Sequence, residues 1–231
     1  MIPQTVLLEL RLRLNKLHSS DYDNIPDWIA VKAIRKAQLQ VMRRTIHGVN
    51  RTQEGDEVTR IRVDDLQQFL TTKRIGGVNK KSYFESEVLP GNYLFYKSLE
   101  VTASTKDCRN KRLYSQLVEE ANVEKYLADW SMKPDFKWRS TFHIITGNKI
   151  RIYTDGDFTV NSVSLSYYRK PQEFDISGYT HEDASTSSNV DLEWKDDLAH
   201  SIIDEAASIL SADLELINQL TTSKQNTDIN I

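Results

Sequence analysis

Asp155-Gly156-Asp157 brings two carboxylates together, and hard oxygen donors this close in the chain can begin a site for a divalent cation. Backbone chemistry alone explains the same tripeptide, because Asp and Gly are the residues that tight turns between strands prefer. The turn is the reading adopted. A second pattern, Asp135 after Pro134 with the later Glu193 and Lys195, has the sparse form of a metal-dependent nuclease. There two acids hold Mg²⁺ while a lysine polarises the scissile phosphate. That chemistry needs the Glu and Lys on a strand beside the Asp, whereas Glu193 stands at the start of a segment with helical periodicity. No two of the histidines, His18, His47, His143, His181 and His200, lie three or four residues apart, and Cys108 is the single cysteine. A His-Glu-x-x-His helix, a cysteine-rich zinc site and an internal disulfide are therefore excluded. No dinucleotide-binding glycine fingerprint, Walker loop or Gly-x-Ser-x-Gly elbow is present. With 8 glycines in 231 residues there is little material for phosphate-cradling loops. The expectation is a protein that is not an enzyme, with no catalytic residues, no metal ligands and no cofactor.

What remains is a candidate for binding. Asn24-Ile25-Pro26-Asp27 combines an N-cap residue, a proline for the first turn and an acid at the third position. A helix is expected from about Pro26 to His47, ending at Gly48. At 100° per residue, Ala30, Ile34, Ala37, Val41 and Met42 share a core face. Lys32, Lys36 and Arg43 fall within about 40° of one another on the opposite side, with Arg35 at their edge. Amines spaced in this way can follow phosphates without reading sequence. They can equally face solvent or a neighbouring subunit, and Leu39 interrupts the stripe. A helix-turn-helix reader is excluded, because the polar stretch from Gly48 to Arg60 is too long to be its turn.

Around this helix the chain reads as α+β. In residues 4–18 the stretch Leu8 to Leu14 alternates like a strand, while Leu7, Leu10, Leu14 and Leu17 fall at helical spacing, the reading adopted; Arg62 to Thr71 suggest a short helix. A loop is expected through Ile75-Gly76-Gly77-Val78-Asn79-Lys80-Lys81. Strands are expected at Tyr93–Tyr96, Leu99–Ala103, Lys111–Glu119, Trp138–Thr146, Lys149–Thr154 and Val160–Tyr168, the pair at 138–154 forming a hairpin about Gly147-Asn148. A short helix is expected from Val123 to Trp130. Leu198, Ile202, Ile203, Ala206, Ile209, Leu210 and Leu214 mark a helix from Lys195 to about Asn218, with Asp197, Asp204 and Glu215 opposite them. The expected layout is N-terminal helices (1–88), a central antiparallel β block with one short helix (89–171), a flexible polar loop (172–194), and a long C-terminal helix with a mobile tail (195–231). Together they are expected to form one structural unit.

Apolar residues make up 39% and charged residues 27%, a globular composition. No apolar run is long enough to span a membrane, and no secretory leader is recognisable at the start. The chain is expected to be cytoplasmic or assembled there. The net charge of −3 conceals an asymmetry: residues 1–112 hold 20 Lys+Arg and 13 Asp+Glu, residues 113–231 hold 10 and 20. A chain with opposite ends can pair head to tail with copies of itself, or turn its basic half toward a polyanion.

Several short stretches carry a family resemblance. They are Arg13-Leu14-Asn15-Lys16-Leu17, the Asn24-Ile25 helix start and the helix end from Gln40 to Gly48. To these are added Val88-Leu89-Pro90 before aromatic strands, Ser166-Tyr167-Tyr168-Arg169-Lys170-Pro171, and the acidic helix from Asp196 to Ala206. In this layout, over most of residues 10–220, the chain resembles the head-to-tail connector (adaptor or ring) proteins of short-tailed bacteriophages, of the crAss-like type. The resemblance implies a virion protein with no active site, assembled in the host cytoplasm. It implies a homo-oligomeric, dodecameric ring in the neck, stacked below the portal protein, in contact with other connector or tail proteins and extending the channel through which genomic DNA passes. On that reading Lys32, Arg35, Lys36 and Arg43 face the DNA channel or the next subunit, whose acidic contact face would be Asp197, Asp204 and Glu215. No membrane partner is implied.

Overall fold

Leucine spacing settles the conformation of the opening segment: Val6, Leu7, Leu10 and Leu14 are buried along one side of helix α1, Pro3–Leu17. Helix α2, Asp27–His47, buries Ala30, Ile34, Ala37 and Met42 as its periodicity requires, with Asp27 in its first turn favoured by the helix dipole. A computed structural model of the chain describes residues 1–17, 25–47, 65–181 and 184–214. It divides the chain into two units, Met1–Leu66 with Pro171–Ile231, and Gln67–Lys170.

In the first unit the last helix, Asp196–Leu214, packs against both α1 and α2. Having two neighbours, it buries a wide arc (Ala199, Ile202, Ile203, Ala206, Ala207, Ile209, Leu210) in place of a narrow stripe. Ion pairs trim these contacts. Arg44 donates two bonds to the Glu205 carboxylate, at 2.7 and 2.8 Å. Arg13 bridges Glu9, 2.9 Å away, and Asp204.

The second unit is a mostly antiparallel near-barrel of eight strands. They are β1 (Leu70–Ile75), β2 (Gly77–Asn79), β3 (Tyr83–Ser86), β4 (Tyr93–Ser104), β5 (Lys111–Leu117), β6 (Ser140–Thr146), β7 (Lys149–Tyr153) and β8 (Thr159–Arg169). The order across the sheet is β1-β8-β4-β5-β6-β7-β3-β2. Its two edge strands, β1 and β2, are consecutive in the chain with only Gly76 between them. The sheet must therefore curl until its edges meet. One bent segment, 70–79, pairs with β8 through its first half and with β3 through its second. Asn79 closes the seam: its amide Nδ2 donates to the Val160 carbonyl at 2.9 Å, and its Oδ1 accepts from the Val160 N–H at 3.0 Å.

The interior is filled by alternate residues of the strands, among them Leu99 and Val101 of β4, Ile150 and Ile152 of β7, and Val163, Leu165 and Tyr167 of β8. Strands β5 and β6 run parallel, so the chain needs a crossover between them. That crossover contains a third short helix, α3, Val123–Ala128. A smaller cluster forms where Val118 and Val123 meet Phe142 and Ile144 of β6, with Tyr126, Leu127 and Tyr153 packed against it. Consequently β6 is covered on both sides. The final helix, Asp196–Leu214, is α4.

The α+β class and its order of helices, sheet and long helix agree with the sequence. Several details are corrected. Residues 67–88, expected in a helical region, supply three strands. Leu70 and Thr71 open β1 where a helix was expected, because pairing with Tyr168 and Tyr167 of β8 overrides the helix-like spacing of Leu66 and Phe69. Part of the expected loop 75–81 is strand β2. The two strands expected at 93–103 are one, β4, with register shifts along its pairing to β8. The β block includes the parallel β5–β6 pair, and the N- and C-terminal segments share a unit.

Candidate functional site

The basic face of α2 divides by what each side chain touches. Lys36 and Arg43 are exposed, and neither is in an ion pair among the described residues. Lys32 lies over the Trp28 ring, 5.7 Å from its centre. Arg35 is drawn into the protein: its Nε donates to the Phe174 carbonyl at 2.7 Å, with Glu173 at 3.4 Å and Asp175 at 3.6 Å. One of the four stripe cations thus fastens α2 to the segment after Pro171.

That segment was expected to be a flexible loop, and its described residues have an internal framework centred on Asp175. The Asp175 carboxylate is buried. Its Oδ1 accepts from the Tyr179 hydroxyl at 2.6 Å, its Oδ2 accepts from the Ser188 N–H at 3.1 Å, and His181 Nε2 lies 2.9 Å from Oδ2. Burial alone would raise its pKa. Bonds from Tyr179, Ser188, His181 and the Ile176 N–H outweigh that and hold the carboxyl below its usual range. The same contact, with burial leading, pushes the Tyr179 hydroxyl up to about 12. Backbone bridges at Asp175–Val190 and Thr180–Thr186 complete the framework. Between it and α2 is an open pocket of about 560 Å³, lined by Trp28, Lys32, Arg35, Tyr179, His181 and neighbours. Replacing Asp175 by Ala would leave the half-buried Tyr179 hydroxyl and the Ser188 N–H without this acceptor, a loss expected to be about 2 kcal/mol in urea unfolding. Asp175→Asn, which keeps one acceptor oxygen, should lose less.

The acidic candidates also separate. Asp197 is exposed on α4, whereas Asp204 is paired with Arg13 of its own chain. Glu215 lies outside the described residues. The residues of the nuclease-like pattern each have a local partner. Asp135 Oδ1 accepts from the Trp138 N–H at 2.9 Å, Glu193 Oε2 accepts from the Gln172 N–H at 3.0 Å, and Lys195 Nζ is 3.8 Å from Asp65. Asp155 and Gly156 have φ of 49° and 76°, and Asp157 Oδ2 accepts from the Phe136 N–H at 3.0 Å. The tripeptide is a turn. No group of three potential metal ligands converges among the described residues.

Sequence reasoning passed over a second surface. Tyr114, Trp130 and Trp138 are 81%, 85% and 74% exposed, unusual values for such large rings. Tyr114 is on β5, and its N–H donates to the Arg139 carbonyl at 2.7 Å, which sets Trp138 and Arg139 close to it. The segments 109–117 and 130–139 contain Arg109, Lys111, Arg112, Lys133, Lys137 and Arg139 against the single acid Asp135. The readable signal was tryptophan and tyrosine interleaved with cations. Charge partitions by unit as well: the sheet unit holds 17 Lys+Arg and 11 Asp+Glu, net +6, the helical unit 13 and 22, net −9.

No protein-family model matches this chain, and no curated protein matches it in sequence.

Proposed function

We propose that this chain is a structural, non-enzymatic virion subunit, forming a homo-oligomeric ring in the head-to-tail connector of a short-tailed phage, between portal and tail. The charge partition carries this reading. A sheet unit at +6 and a helical unit at −9 within one chain attract head to tail between copies, and a heterologous contact repeated around an axis closes a ring. The family resemblance supplies the place of that ring, around the DNA channel. In it Lys36 and Arg43, exposed on α2, face the channel or the adjacent subunit.

The same surplus of cations beside exposed aromatic rings favours a second reading, a sequence-independent nucleic-acid-binding module. The two differ in what the isolated subunit does. A nucleic-acid module binds DNA as a monomer with affinity that falls steeply with salt. A connector subunit forms rings and joins a portal without such affinity.

A further inference from the structure

We propose that the face of the sheet unit formed by Tyr114, Lys137, Trp138 and Arg139 docks onto Asp191, Asp196 and Asp197 of the helical unit in a second copy of this chain. The inference rests on the ring reading and names the two surfaces that would make it.

The first surface has the composition of an interface centre. Exposed Trp, Tyr and Arg dominate binding energy where proteins meet, because large rigid rings bury much area at little entropic cost and guanidinium groups pair with carboxylates. Here the rings of Tyr114 and Trp138 are about three-quarters exposed or more. Lys137 lies over Trp138, 6.0 Å from its centre. The backbone beneath is fixed. Lys111 Nζ donates to the Phe136 and Lys137 carbonyls at 2.9 and 3.2 Å, and Arg139 is held at φ 58° beside the Asp135–Ser140 bridge, its carbonyl accepting from the Tyr114 N–H. The rings are thus presented on a rigid edge, and Arg139 has no ion-pair partner among the described residues.

The second surface supplies the opposite charge. Asp191, Asp196 and Asp197 are exposed, and none is in an ion pair among the described residues. They cluster where the chain enters α4, within a unit carrying −9. Complementary charges on different units of one chain can be satisfied repeatedly by a head-to-tail array, and each copy would use both faces once.

A charge-swap experiment on the full chain tests this. Lys137→Glu/Arg139→Glu makes both docking faces acidic, and Asp196→Lys/Asp197→Lys makes both basic. Each variant alone should lose the oligomer seen for the wild type in sedimentation velocity. Mixed in equal amounts, the two should recover it, because every contact then pairs opposite charges. Recovery also shows that both variants are folded. Trp138→Ala should lose the oligomer without any charge change. If the wild type forms rings and the variants form them equally well, this assignment is overturned while the ring reading stands. If the wild type stays single at every concentration, the ring reading itself fails. If Lys137→Glu/Arg139→Glu abolishes binding of a fluorescent single-stranded oligonucleotide and leaves the rings intact, the face belongs to nucleic acid and the proposal is wrong.

Discussion

Lowering the pH from 7 to 4 is expected to remove about 3 kcal/mol of stability through one residue, His143. Its side chain points into the barrel from β6, fully buried, with the Tyr96 ring 5.3 Å away. Nδ1 is 2.7 Å from the Ser115 hydroxyl, and Nε2 has no hydrogen-bond partner among the described residues. A protonated imidazole would bury a charge there with no carboxylate beside it, so desolvation lowers the pKa from 6.5 to about 4. In the unfolded chain the ring takes its proton near pH 6.5. Between these values the unfolded state binds more protons than the folded one. The stability present above pH 6.5 is therefore lost progressively as pH falls and levels off below about 4. Urea unfolding at intervals from pH 7 to 4 should show this slope. His143→Phe should flatten it relative to the wild type, whose carboxylates contribute equally in both proteins. An unchanged slope in His143→Phe would show that folding does not lower this ring's affinity for a proton.

Gly77→Ala is expected to be at least as damaging. The bend that lets 70–79 serve both edges of the sheet brings Gly77 against β3. A Cβ there would sit 2.3 Å from the Glu85 carbonyl oxygen and 2.5 Å from Phe84 Cζ, contacts that backbone and a core ring cannot relieve by rotating away. Either β2 separates from β3 or the Phe84 ring leaves the core. Overpacking of this kind is expected to destabilise by about 3 kcal/mol, a clear fall in the urea midpoint. Gly76→Ala makes the control. Its added Cβ would meet the flexible carboxylate of Glu87, 2.6 Å away, which can move aside, so its effect should be smaller. Equal losses at both positions would show that the seam is less tightly closed than its geometry indicates.

The seam also shows where sequence reading stops. Helix α2 is legible because its signals are local: a proline in the first turn, an acid at the start and apolar residues at helical spacing. Strands β1 and β3 are short, flank a Gly-Gly pair and find their partners in β8 and β7, more than sixty residues away in the chain, so no window of sequence contains the reason for their shape. The run Thr141 to Ile144 reads as strand, yet only the three-dimensional arrangement shows that Phe142 and Ile144 face α3 while His143 faces the barrel interior. At the candidate site, the charge of Arg35 was visible but its engagement by Phe174 and Asp175 was not, because those residues lie some 140 positions further on. Asp204 was read as an outward acid for the same reason, its partner being Arg13 near the other end of the chain. Trp130 and Trp138 would ordinarily be assigned to a core. Their exposure depends on the turn that follows α3 and on the left-handed Arg139.

The most direct test of the connector proposal is electron microscopy of the purified chain, alone and mixed with a portal protein from a short-tailed phage of the proposed type. The account predicts closed rings, and portals capped at one end by an added ring coaxial with the channel. Particles that remain single and portals that remain bare, at concentrations where both proteins are folded, would contradict it.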